Sequence, residues 1–102
     1  MITTVDGLRF GQLVRSIAGR DCNQFYLILN LIGDKFVEVV DGDKHPINKS
    51  KKKNVKHLKI TMLVSKEIET SISKGELVDN SEIAAAINRL KNELEEGDRF
   101  HG

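Results

Sequence analysis

The chain is expected to fold as a small, mainly β domain with C-terminal helices: a five-stranded, strongly bent barrel followed by two amphipathic helices. Three observations lead there. Short β-branched and aromatic runs separated by turn residues fill the first half of the chain. The apolar spacing then lengthens from alternation to one residue in about four. Finally, both alternating sets of FYLILNLI, Phe25 to Ile32, are largely apolar. A barrel strand needs only its inner face apolar, so this one requires a cover on its outer face, and the two helices are the available cover.

QLVRSI (Gln12 to Ile17) has strand composition, and in the AGRDCN loop behind it Gly19 and Asn23 are candidates for positive φ. FYLILNLI is the strongest strand, and GDK turns it into FVEVV (Phe36 to Val40) as a β-hairpin. A second turn at DGD leads to KHPI (Lys44 to Ile47), expected as a short or edge strand because Pro46 cannot donate to a ladder. VKHLKITML (Val55 to Leu63) supplies the fifth strand. Val64, Ile68 and Ile72 then recur every four residues, with Gly75 as a natural helix stop, which predicts one short helix. The second helix starts at Asp79, an N-cap with Glu82 three residues on, flanked by Val78 and Ile83 as a hydrophobic staple. Ile83, Ile87, Leu90 and Leu94 line one of its faces, and the tail EEGDRFHG is expected to fray. The barrel is thus expected over residues 1–63 and the helical extension over 64–102, packed together as one compact domain.

A chain of 102 residues buries only a modest core. The start MITTVDGLRF lacks a cationic segment followed by an apolar run, and no stretch approaches the ~20 apolar residues of a bilayer span. A soluble, cytoplasmic protein with no membrane partner is expected. Cys22 is alone, which excludes an intrachain disulfide and a cysteine metal cluster. No paired carboxylates, Ser-His-Asp arrangement or phosphate-cradling glycine loop is visible, so neither an enzyme nor a cofactor is expected. His45 and His57 lack cysteine or acidic neighbours at ligand spacing, which favours hydrogen bonding or phosphate contact over metal binding.

The formal net charge of +1 conceals an asymmetry. Residues 1–59 hold eleven Lys and Arg against six acids, or +5, while residues 60–102 hold five against nine, or −4. The segment NKSKKKNVKHLK, Asn48 to Lys59, carries six lysines and a histidine with no acid among them. One or two lysines suffice to keep an edge strand from pairing with other chains. A run this long, in a half already basic, points to a polyanion. Lys44, Lys49, Lys51, Lys52, Lys53, Lys56 and Lys59 are expected to converge on one rim, extended by Arg15 and Arg20, with His57 beside them. Lys51, Lys52 and Lys53, as exposed lysines, are expected to contribute little to folding.

Within GQLVRSIAGRDCNQFYLIL, the residues Gly11, Val14 and Gly19, the RDCN loop and the apolar strand after it resemble a KOW motif, the strand–loop–strand core of small SH3-like barrels in ribosomal proteins and transcription elongation factors. The following VVDGDKHPINKSKKKNVKHL is similar to large-subunit ribosomal proteins of the eukaryotic and archaeal L-fourteen-e kind and their short bacterial relatives, in which a D-G hairpin leads through a basic, proline-containing segment to a KN-hydrophobic-KHL strand. The resemblance covers about Leu8 to Leu58. It departs at Cys22 and Asn23, where the family loop usually carries a basic residue followed by glycine. The resemblance implies a five-stranded SH3-like (KOW) barrel that binds RNA, specifically structured ribosomal RNA, as a ribosome-associated protein of translation. Without an exposed aromatic pair for stacking, contacts are expected mainly to backbone phosphates and shape. Ribosomal proteins are a second expected class of partner, met through the acidic helices (Glu67, Glu69, Glu76, Glu93, Glu95, Glu96). The alternative is an SH3-like protein-interaction module of the transcription and translation machinery.

Overall fold

The computed structural model describes residues 3–101, with side chains described as far as Glu95. Five strands, β1 (Gln12–Ser16), β2 (Phe25–Ile32), β3 (Phe36–Val40), β4 (Lys51–Asn54) and β5 (Leu58–Val64), precede two helices, α1 (Lys66–Ser73) and α2 (Asn80–His101). The strands form one antiparallel sheet of order β4-β3-β2-β1-β5. The hydrogen-bonded ladder is open, because β4 and β5 are its two edges among the described residues.

Connectivity nevertheless forces the sheet to curl. The edges β4 and β5 are joined only by the 3₁₀ turn Val55–His57. In a flat sheet, four gaps of about 4.8 Å would put the edges ~19 Å apart. The four Cα steps from Asn54 to Leu58 reach at most ~14 Å even when fully extended, and a 3₁₀ turn is much shorter than that. A side-chain bond crosses the same interior: Lys53 Nζ on β4 donates to Ser16 Oγ on β1 at 3.0 Å, past the two strands between them.

Each face of the sheet has its own core. Leu8, Val14, Tyr26, Ile28, Val37, Val39, Val55 and Leu58 fill the concave face. Leu13, Leu27 and Val40 on the other face pack against Ile68 of α1 and Ile83, Ala86, Ile87 and Leu90 of α2. The two-sided apolar character of β2 therefore has the expected cause, and the helices are the cover. Burial of each such Ile or Leu side chain is worth about 1.5–3 kcal/mol, which holds both helices to the sheet. One detail of β2 differs from simple alternation. A bulge between Ile28 and Asn30 shifts the register, so Leu29 packs under the helices while Leu31 joins the concave core.

Local chemistry fixes the connections. Asn23 (φ 75°) and Gly19 (φ 84°) adopt the left-handed conformations expected in the β1–β2 loop. α1 is capped by Ser65 and ends in a Schellman motif: Glu76 N–H donates to Ser71 O at 2.8 Å and Gly75 N–H to Ile72 O at 3.1 Å. Asp79 Oδ1 accepts from Glu82 N–H at 2.8 Å, the expected N-cap of α2. Gly42 has φ +80°, and a Cβ there would fall 2.3 Å from Asn80 O, so glycine is what lets the β3–β4 connection touch the start of α2. Asn80 Oδ1 completes that junction by accepting from Ile47 N–H at 2.8 Å.

Three sequence expectations are corrected. KHPI (Lys44 to Ile47) is not a strand: Asp41 Oδ1 accepts from Asp43 and His45 N–H and winds the segment into a turn, which Pro46 leads into a 3₁₀ turn at Ile47–Lys49. The fourth strand is instead the lysine run Lys51–Asn54, paired with β3 from Lys51↔Val39 to Asn54↔Phe36. The fifth strand accordingly starts at Leu58, later than expected. α2 continues to His101, past the point where fraying was expected, and the side chains of residues 96–102 lie outside the described set.

Candidate nucleic-acid interface

Because β4 is a strand, its lysines alternate sides. Lys51 and Lys53 lie opposite Val39 and Val37, whose side chains belong to the concave core, so both point inward. Lys52 faces outward, exposed, with its ammonium 4.6 Å from the centre of the Phe36 ring.

The inward pair converges on Asp21 of the β1–β2 loop. Lys53 Nζ donates to Asp21 Oδ1 at 2.8 Å and Lys51 Nζ to Asp21 Oδ2 at 3.2 Å. Tyr26 OH donates to Oδ2 at 2.8 Å and Ser16 Oγ to Oδ1 at 3.0 Å. One carboxylate thus receives four side-chain donors. Burial by itself would raise the Asp21 pKa, but the bonds from Lys53, Tyr26, Lys51 and Ser16 outweigh it and hold the carboxyl well below the usual carboxylate range. Burial, followed by the bond to Asp21, pushes the Tyr26 phenol up. Lys53 is only 9% exposed, and reaching a phosphate would cost it both Asp21 and Ser16. It ties β4 to the β1–β2 loop and is no part of a free cationic rim, which corrects the expectation that Lys53 contributes little to folding.

The remaining expected contact residues are distributed over both faces. Arg20, Lys44, Lys49, Lys52, Lys56, His57 and Lys59 are exposed, and none forms an ion pair among the described residues. Arg15 and Lys59, paired across β1 and β5, lie by alternation on the helix-covered side with Leu13, and the Arg15 Nε is buried without a partner. Lys56 and His57 sit on the 3₁₀ turn before β5. Arg20, Lys44 and Lys51 do come together, around a cleft of about 210 Å³ between the β1–β2 loop and the β3–β4 turn. Tyr26 and His45 form part of its lining, their ring centres 5.7 Å apart and tilted by 55°.

Asp21 and Ser16 were not singled out by sequence reasoning. One signal was available: alternation in β1 and β2 puts Ser16 and Tyr26 on the same face as Val14 and Ile28, and polar groups there need a partner. Among the described residues, no helix is long and apolar enough to cross a membrane, and no group of three or more His, Cys, Asp or Glu is placed to hold a metal ion. No protein-family model matches the chain, and no curated protein matches it either.

Proposed function

We propose that this protein binds structured RNA through backbone phosphates, as the resemblance to KOW-containing ribosomal proteins implies, and that it works in association with the ribosome. The observation that carries the reading is the set of six exposed cations, Arg20, Lys44, Lys49, Lys52, Lys56 and Lys59, with no acid in ion-pair contact. Solubility alone would be served as well by cations interspersed with acids. The acidic residues are instead concentrated in the second half of the chain. A curled five-stranded antiparallel sheet whose last strand returns beside the first supports assignment to the SH3-like barrels. Lysine on a flexible stem offers charge without base readout, so phosphates and duplex shape are the features recognised.

Crosslinking in cells followed by sequencing of the bound RNA tests this directly. Enrichment of structured ribosomal segments is expected, together with collapse of the native complex on nuclease treatment. A complex that survives nuclease and yields no crosslinked RNA would replace the reading with a protein-interaction role.

A further inference from the structure

We infer that the cleft between the β1–β2 loop and the β3–β4 turn is a discrete phosphate-binding subsite, held in shape by Asp21 as a positioning residue. The inference deepens the RNA-binding reading and rests on it. Arg20, Lys44 and Lys51 bring three cations from three separate segments to one concavity, which is otherwise lined by Gln24, Tyr26, His45, Asp21 and Asp41. The two carboxylates cancel only part of that charge. Both oxygens of Asp21 are committed to four side-chain donors, including the buried Lys53 behind the cleft. Asp41 Oδ1 is committed to two backbone N–H groups. Three cations face one acid that is already neutralised by Lys53 and one that is free, so the cleft favours an anion.

Its size points the same way. The cleft is small, with a volume of about 210 Å³. That accommodates a phosphate with part of a ribose and is small for a folded RNA element. Arg20 can grip two phosphate oxygens at once, while Lys44 and Lys51 add point charges from the opposite wall. Asp21 decides whether this geometry exists before the ligand arrives. It anchors Lys51 at the rim and, through Lys53, fixes the lysine strand against the loop that carries Arg20. A preorganised site loses less freedom on binding than a set of mobile lysines would. The ligand is a phosphate group, either a phosphodiester within an RNA backbone or a free phosphate monoester.

The test is an NMR titration of the full-length protein with inorganic phosphate, matched against chloride at equal ionic strength, followed by a structured RNA. Saturable shifts confined to the amides around Arg20, Gln24, Lys44 and Lys51 are expected, and the RNA should displace the phosphate. The R20Q/K44Q variant, which touches two exposed and unpaired side chains, should melt like the wild type. It should bind phosphate at least about tenfold more weakly, as the removal of charge-assisted bonds requires. Its RNA affinity should show a salt slope flatter by about 0.7–0.9, the change for one phosphate no longer neutralised. D21N should weaken phosphate binding without removing any cation, which a purely electrostatic patch would not do. Shifts scattered over all the lysines, or unchanged RNA binding by R20Q/K44Q, would overturn the subsite while leaving RNA binding by the other cations standing. Phosphate binding in the cleft that RNA cannot displace would support the subsite and overturn its assignment to RNA, making the cleft a site for a small phosphorylated molecule and leaving RNA to the other exposed cations.

Discussion

The two faces of the sheet are closed by different physics. On the helix-covered face, aliphatic side chains of α1 and α2 meet Leu13, Leu27 and Val40, and the join is hydrophobic throughout. On the concave face the aliphatic core ends at Asp21, where a buried lysine, a tyrosine hydroxyl and a serine converge on one carboxylate. The first kind of closure tolerates reshaping, whereas the second fails abruptly when a partner is removed, because a charge is then left buried and unpaired. The contrast also separates two kinds of lysine in a single run. Lys53 is part of the architecture, and Lys52, one residue before it, is free for a partner.

Removing the hub breaks this contrast most severely. D21A leaves Lys53 buried without its counter-ion and should cost about 3–5 kcal/mol in chemical denaturation. Asp21 titrates below its ordinary value when folded, so the stability it contributes is fully present above about pH 4 and is lost as pH falls below that point. The acid-side fall in wild-type stability should therefore shrink in D21N. On the opposite face, G42A drives a Cβ into the Asn80 carbonyl from a left-handed backbone position. It should cost about 2–3 kcal/mol, and faster hydrogen exchange should show the junction between the β3–β4 connection and α2 opening.

Neighbouring lysines sharpen the contrast further. K53Q should destabilise by about 1–3 kcal/mol by removing buried hydrogen bonds, while K52Q should change stability by less than about 0.5 kcal/mol. Equal melting curves for the two would mean that Lys53 is not held by Asp21. A smaller effect than that of K53Q is expected from D79A, which removes the cap from α2 and should lower the melting midpoint by a few degrees while leaving the β1–β2 loop untouched.

Much of the fold was legible in the sequence because periodicity and capping are local. β1, β2, β3, α1 and the start of α2 were readable from alternation, Asn23, Gly75 and Asp79. The requirement for a helical cover was readable from β2 alone. β4 was not legible, since three consecutive lysines have little strand propensity and become a strand only by pairing with β3 and reaching Asp21. The bulge that sends Leu31 to the concave face leaves no mark on a regular alternation. The site was half legible. Charge could be counted, but the division of that charge between a buried network and a free surface depends on Asp21, which is thirty positions away from Lys51.

On the proposed function, RNA is held by the exposed cations and not by the lysine run as a whole. Salt titration of RNA affinity for the wild type and for the triple variant K52Q/K56Q/K59Q tests it most directly, with thermal melts run alongside. The log-affinity slope should flatten by about two to three units, at roughly 0.7–0.9 for each phosphate no longer neutralised. Melting should be unchanged, because these three side chains are exposed and unpaired among the described residues. Wild-type affinity and an unaltered slope in the folded triple variant would contradict the account.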